Sequence, residues 1–273
     1  MRFPERLAAM LAGIVLALPA SAATPGEVRA SMAAAYKERL PGIAPQDYPL
    51  GAAALDGDLK RAVEDNAGAS AAVIAAGKAL FTRKFKNGRS LAGCFPNGGR
   101  RIAAAYPQFD PRLKRVITLE MAINQCLKSH GEPLYDHGDA RTMGVVVSYL
   151  RSLSDGQKVA VRVPAAGEAR FEQGRRLYYS RMGQRNYACA SCHVIGVGKR
   201  FEDTPLSPAI GQATHWPVIR KGEPVTLQER FRECLELMGA APFPAGSEEL
   251  NNLEYFLTYL SNGLPMAANP WRP

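Results

Sequence analysis

The stretch Tyr187-Ala188-Cys189-Ala190-Ser191-Cys192-His193-Val194, "YACASCHV", carries two of the chain's five cysteines with a histidine directly behind the second. C-x-x-C-H is the attachment sequence of a covalently bound c-type haem. The spacing follows from the chemistry. Two thiols three residues apart reach the two vinyl groups on one edge of a porphyrin as thioethers, and the adjacent imidazole of His193 then faces the iron. A redox dithiol of the same spacing would follow a strand in a βαβ pattern, which the chain lacks. A structural zinc site would need a second ligand pair, and none is nearby. The motif therefore predicts one covalent haem, with Cys189 and Cys192 holding the ring and His193 as proximal iron ligand.

Export is consistent with that chemistry, because c-type haem is attached outside the cytoplasm. "MRFPERLAAMLAGIVLALPASAATPG" has Arg2 and Arg6 in front of an apolar run, followed by Ala20-Ser21-Ala22. This is the pattern of a cleavable signal peptide over residues 1–22, too short for a membrane span. Periplasmic localisation is the expectation, and no later segment reads as a membrane span. Removal of residues 1–22 leaves 251 of 273 residues, room for one large or two modest domains. The net charge of +9 falls by one with that segment, which holds two arginines and one glutamate. Basic residues are scattered and no nucleic-acid motif occurs, so a nucleic-acid role is set aside in favour of acidic partners or small anions.

In an oxidising compartment the remaining cysteines need an account. Cys94, Cys126 and Cys234 are explained by an internal repeat. "TLEMAINQC" ends at Cys126 and "TLQERFREC" ends at Cys234, so that Thr118-Leu119 overlies Thr226-Leu227. "VSYLRSL" (147–153) overlies "LTYLSNG" (257–263). Upstream, "ALFTRKFKNGRSLAGCFPNGG" (79–99) overlies "RLYYSRMGQRNYACASCHV" (176–194), which puts Cys94 on Cys189, Asn97 on Cys192 and Gly98 on His193. The fold class expected is mainly α, two tandem cytochrome c-like domains, of which the N-terminal one has lost its haem site. Cys94 and Cys126 lie where a haem would have held loop against helix, and a disulfide between them would replace that clamp. Closing about 30 residues contributes on the order of 3 kcal/mol. Cys234 is then left without a cysteine partner, as an inert thiol or as the functional one.

Helical periodicity dominates. Helices are expected over 27–40, 70–86, 112–128, 138–153, 168–182, 225–239 and 247–262, with strand-like alternation scarce. The last opens on Ser247 as N-cap, closes at Gly263, and presents Leu250, Leu253, Phe256, Leu257 and Leu260 to a core. The division expected is an N-terminal arm and linker over 23–69, a haem-less unit over 70–156 and a haem-binding unit over 157–273, with "SDGQKVAVRVPAAGE" (154–168) at the junction. For the second axial position the candidates are His215, Met238, Met266 and Cys234. Met238 suits an electron-transfer cytochrome. Cys234 shares its helix with Arg230, one turn earlier, which would favour a thiolate. Spacing alone does not choose between Cys234 and Met238.

The pieces "CFPNGG", "INQC", "CASCH", "HWPVIR", "LQERFREC" and "YFLTYLSNGLPM" together resemble the SoxA family, the larger subunit of a cytochrome of bacterial thiosulfate oxidation, L-cysteine S-thiosulfotransferase. The resemblance covers most of the chain after residue 22. It implies haem on Cys189 and Cys192, His193 as proximal ligand, Cys234 as a distal iron ligand carrying an extra sulfur, and Arg230 as the active-site arginine. Asn97 and Gly98 replace the second C-x-x-C-H of dihaem members, so the single-haem branch is the one resembled, and the Cys94–Cys126 disulfide is strengthened. The implied partners are a SoxX-like small cytochrome c, a SoxYZ-like carrier protein and thiosulfate. Other readings of the same haem are a simple periplasmic electron-transfer cytochrome c and a thiosulfate dehydrogenase. Arg230, with nearby Arg220, Lys221 and Arg232, offers a positive funnel for an anion, but Arg230 alone sits at a family position and the other three read as surface charges.

Overall fold

The computed structural model describes residues 23–45, 47–48, 56–202 and 204–272. The signal-peptide segment and part of the Pro/Gly-rich linker lie outside the described residues. Among the described residues, eight α-helices carry the fold. α1 is Pro25–Arg39, α2 Gly57–Asp65, α3 Ala71–Thr82 and α4 Leu119–Ser129. They are followed by α5 Val145–Ser152, α6 Glu168–Tyr179, α7 Leu227–Leu237 and α8 Glu248–Leu260.

The repeat read from the sequence is a repeat in space. In the first unit α3 packs on α5, and in the second α6 packs on α8. Each crossing is made at a glycine. A Cβ on Gly77 would meet the Val145 carbonyl and come within 2.8 Å of Tyr149 Cβ. A Cβ on Gly174 would meet the Asn252 carbonyl and come within 2.9 Å of Phe256 Cβ. Only glycine lets the backbones approach this closely. Between the paired helices each unit has a hairpin and then a Thr-capped helix. β1 (Gln108–Asp110) pairs antiparallel with β2 (Arg115–Ile117) ahead of α4, where Thr118 accepts from the Met121 amide. β3 (Arg200–Phe201) and β4 (Thr204–Pro205) form a short extra hairpin in the second unit. β5 (Val218–Arg220) pairs with β6 (Glu223–Val225) ahead of α7, where Thr226 accepts from the Glu229 amide. The expected helix over 112–128 is thus a hairpin strand followed by the shorter α4. Three-residue strands are too brief to register as alternation, and an N-cap threonine sets the helix start.

The two units embrace reciprocally. α8 of the second packs on β2 of the first, while the π-helical turn Ala140–Gly144 leading into α5 packs on β6 of the second. α8 is therefore buried nearly all round. The apolar stripe Leu250, Leu253, Phe256, Leu257 and Leu260 is inside, and so are Asn251, Asn252, Glu254 and Thr258. Several of these polar groups are met by other elements: Gln228 Nε2 donates to Asn251 Oδ1 and to Glu254 Oε2, each at 2.9 Å, and Asn252 Nδ2 donates to Gln173 Oε1 at 2.9 Å, while Asn252 Oδ1 has no partner among the described residues.

The N-terminal arm is more than a tether. α1 begins with a capping box between Thr24 and Glu27 and Pro25 in its first turn. It then lies along the second unit. Arg29 donates to the carbonyls of Leu260 and Asn262 at the end of α8, where cations suit the orphan carbonyls of a helix C-terminus. The junction 154–168 is also pinned to that unit: Val159 N donates to Leu264 O and Gly263 N donates to Val159 O.

Candidate functional site

The haem-motif segment is held from several sides. Cys189 and Cys192 flank the start of a π-helical turn, Ser191–Ile195, opened by Ser191 Oγ accepting from the Ala188 amide at 3.0 Å. Tyr36, wholly buried on α1, donates its hydroxyl to the His193 carbonyl and accepts from the Ala209 amide at 3.1 Å. Arg39, one turn later, donates to the carbonyls of Val194 and Ile195. The loop before Cys189 docks on the end of α7: Gln184 N donates to Gly239 O and Arg185 N to Met238 O. That docking satisfies terminal carbonyls of α7 and draws the motif towards the helix bearing Cys234.

Three thiols gather there. Cys189, Cys192 and Cys234 are unpaired and partly accessible. Burial pushes the Cys189 thiol up to about 12, with the neighbouring Cys234 adding to the shift. Burial also raises Cys192, opposed by Arg230. Cys234 is raised by burial and pulled back by Arg230, with Arg220 acting in the same sense. Burial outweighs the arginines, so the sequence-based expectation of a thiolate favoured by Arg230 holds in direction of influence but not in net effect. A soft metal would take the proton off such a thiol.

The His193 ring is oriented and neutral, the form in which an imidazole could bind a metal. Its Nδ1 lies 2.9 Å from the Ser207 carbonyl, which requires the ring proton on that nitrogen and leaves Nε2 with its lone pair. The Gln212 side-chain amide, 2.6 Å from the same nitrogen, suits that proton with its oxygen turned towards the ring. Burial lowers the imidazole to about 4, so the ring is neutral. Tyr178 on α6 supplies a second indication. It is fully buried beside Cys189 and Cys234, and its hydroxyl has no hydrogen-bond partner among the described residues. An orphaned buried hydroxyl implies a missing acceptor. A haem ring with its polar substituents meets that need, and the residues present fit the group.

The eroded unit shows the contrast. Cys94 and Cys126, at the positions of Cys189 and Cys234, are joined by a disulfide across 32 residues. Asn97 and Gly98, at the positions of Cys192 and His193, are both left-handed, with φ of 52° and 61°. The position of Tyr178 is taken by Phe81, which packs against Phe95 and Tyr149 with ring centroids 6.0 and 5.4 Å away. An aromatic core and a disulfide stand where the second unit keeps thiols, imidazole and an unpartnered hydroxyl.

The family of cytochrome c domains described as SoxA/TsdA matches residues 76–159 and 173–266, one segment in each unit. The chain belongs to the SoxA/TsdA cytochrome c family. L-cysteine S-thiosulfotransferase subunit SoxA of Chlorobaculum tepidum is 40% identical over 84% of this chain and 81% of its own length. The subunit of the same name from Allochromatium vinosum is 39% identical over 94% of each chain. A crystal structure of SoxXA from P. pantotrophus superposes with a TM-score of 0.73, at 25% identity, covering 80% of this chain and 84% of that one.

Of the other candidate ligands, His215 faces elsewhere. Its Nδ1 lies 3.1 Å from the Gly211 carbonyl and its nearest charges are Arg272 and Arg151. Met266 is buried against the junction, its backbone paired with Gln157 and Gly156. Met238 caps α7 one turn beyond Cys234 and is buried. Arg232 points away from the thiols, at two residues from Arg230 on the helix, and both Glu229 oxygens accept from it. Lys221 is exposed at the hairpin turn. Sequence reasoning missed Glu233, whose carboxylate accepts from Arg230 and Arg220. Its spacing of three from Arg230 was the available signal. It also missed Tyr36, Arg39 and Tyr178, which no motif announces.

Proposed function

We propose that this chain is the thiosulfate-conjugating, haem-bearing subunit of a SoxAX-type L-cysteine S-thiosulfotransferase, with Cys234 and Arg230 as its reactive and anion-binding residues. The observation that carries the reading is the convergence of Cys234 and Arg230 of α7 on Cys189, Cys192 and His193. Cys189 and Cys192 would hold a single haem, His193 Nε2 and Cys234 Sγ would hold its iron, and Cys234 would carry an additional sulfur as a persulfide. The haem, when bound, supplies an acceptor for electrons. Cysteine thiol and thiosulfate dianion join by a new S–S bond to give cysteine S-thiosulfonate, one proton and two electrons. Arg230 holds the sulfonate oxygens by charge-assisted hydrogen bonds, and Cys234 engages sulfur. Ser207 and Gln212 keep the His193 ring oriented.

Relatives named for this activity at about 40% identity over most of the chain support the reading. The SoxXA likeness supports a small SoxX-like cytochrome partner, and a SoxYZ-like carrier would bring the cysteine. Periplasmic residence follows from the same chemistry and from the signal-like residues 1–22. No helix among the described residues is long and apolar enough to cross a membrane. The division into arm 23–69, haem-less unit 70–156 and haem unit 157–273 belongs to the same proposal. The test is Cys234→Ala: covalent haem is retained, turnover of thiosulfate with the carrier is lost, and the extra mass of about 32 Da disappears from the Cys234 peptide. Retained turnover overturns the assignment.

A further inference from the structure

Glu233 binds two arginines from different elements. Arg220, the last residue of β5, donates to it twice, Nη1 to Oε1 at 2.9 Å and Nη2 to Oε2 at 3.3 Å. Arg230 Nη1 donates to Oε2 at 3.1 Å. The turn after Arg220 is the two-residue Lys221-Gly222, with φ of 51° and 80°, in the left-handed pair that a tight hairpin requires. That turn folds the end of β5 over α7, so one carboxylate spans strand and helix next to Cys234.

We propose that Arg220 is a second anion-binding residue of this site, forming with Arg230 a two-guanidinium clamp for the sulfonate end of thiosulfate. The inference rests on the reading that thiosulfate reacts at Cys234. Two guanidinium groups against one carboxylate leave a surplus positive charge. Nε and Nη2 of Arg230 and Nε of Arg220 have no partner among the described residues, in a set of side chains all partly open to solvent. Both cations act electrostatically on Cys234. A planar guanidinium presents paired donors that match two oxygens of a sulfonate, and two of them can grip all three.

The eroded unit serves as an internal control. In the matched hairpins Asp110 stands at the position of Arg220, and in the matched helices Ala122 and Gln125 stand at those of Arg230 and Glu233. A hairpin, there with a four-residue turn, and the same Thr-capped helix form without any of the three. The scaffold does not need the cluster, and it occurs only in the unit with the reactive cysteine.

The test uses the haem-loaded full chain with its small cytochrome partner. It measures thiosulfate kcat/KM with the carrier, inhibition by sulfate, and sulfate binding to the resting protein by calorimetry. For Arg220→Gln the proposal expects kcat/KM to fall tenfold to a hundredfold, mostly through KM, with sulfate affinity falling in parallel, the scale of one charge-assisted hydrogen-bonding group. Arg220→Lys should recover part of the loss, since an ammonium keeps charge but not the fork. Glu233→Gln breaks the same ion pair and leaves both cations, so sulfate affinity should stay within about threefold. Lys221→Gln removes one exposed charge and should shift it less than twofold. Sulfate affinity within threefold of wild type in Arg220→Gln overturns the clamp, as does a loss in Glu233→Gln equal to that in Arg220→Gln. Because sulfate binding needs no turnover, a failure of the clamp is distinct from a failure of the Cys234 assignment, which the Cys234→Ala variant reads.

Discussion

Replacing Glu254 with Gln should flatten the protein's stability against pH. Glu254 sits on α8 where the two units meet, with Gln228 of α7 donating to it, and Glu120 of α4 and Arg151 of α5 as its charged neighbours. Burial first and the Glu120 carboxyl second push its pKa up to about 8, against the opposing pull of Gln228 and Arg151. Arg151 is itself buried, donating to the Ala213 carbonyl at 2.6 Å, with His215 nearby. One guanidinium faces two carboxyls, and a proton on Glu254 relieves the excess. The folded state therefore binds a proton that the unfolded chain, with a glutamate pKa near 4.3, has released. Stability falls as pH rises from about 4.3 to about 8, at up to roughly 1.4 kcal/mol per unit, and levels off above. Between pH 6 and 8 this is about 2 kcal/mol, or about 4–8 °C in Tm for a chain of this size. Glu254→Gln keeps the shape and an acceptor for Gln228, and takes no part in that titration. Denaturant or thermal unfolding of both proteins from pH 5 to 9 should show the variant gaining on wild type up to about pH 8 and then holding its lead. Parallel pH profiles would refute the assignment of a buried neutral carboxyl at this interface.

Gly174→Ala should lower stability by at least about 2 kcal/mol, because the new methyl meets helix backbone at Asn252 rather than a yielding side chain. Gly77→Ala should do the same in the first unit while leaving the haem spectrum alone, and either variant unfolding like wild type would refute the close crossings. Replacing Cys94 and Cys126 by Ser should cost about 3–4 kcal/mol for a bridge spanning 32 residues. Haem content should be unchanged, which pyridine haemochrome quantitation checks against the unfolding midpoint.

The tandem organisation was legible because a duplicated unit repeats its chemical landmarks. Thr118 and Thr226 each stop the preceding hairpin and start a helix, and Cys126 and Cys234 fall at the same place on those helices. C-x-x-C-H is local in the chain, so its chemistry needs no tertiary knowledge. The three-residue strands were not legible, since strands so short have no periodicity to read. Nor was the burial of α8 on every side. Its polar residues look like a solvated face, and α6, α7 and the turn Gln212–Thr214 of the second unit, with β2 of the first, make them interior.

The amino-acid sequence by itself carries the C-x-x-C-H motif, the Asn97 and Gly98 that stand in place of a second copy, and the repeat that pairs Cys94 with Cys126. All of these depend on residue type at short or repeated spacing. Only the tertiary structure decided what surrounds Cys234. Tyr36 and Arg39 reach the motif from a helix more than 150 positions earlier. Arg220 comes to Cys234 across a hairpin, joined to Arg230 by a carboxylate that spacing alone would leave as a surface charge. A side chain's electrostatic role depends on what faces it, and the folded chain sets that through contacts between residues distant in sequence.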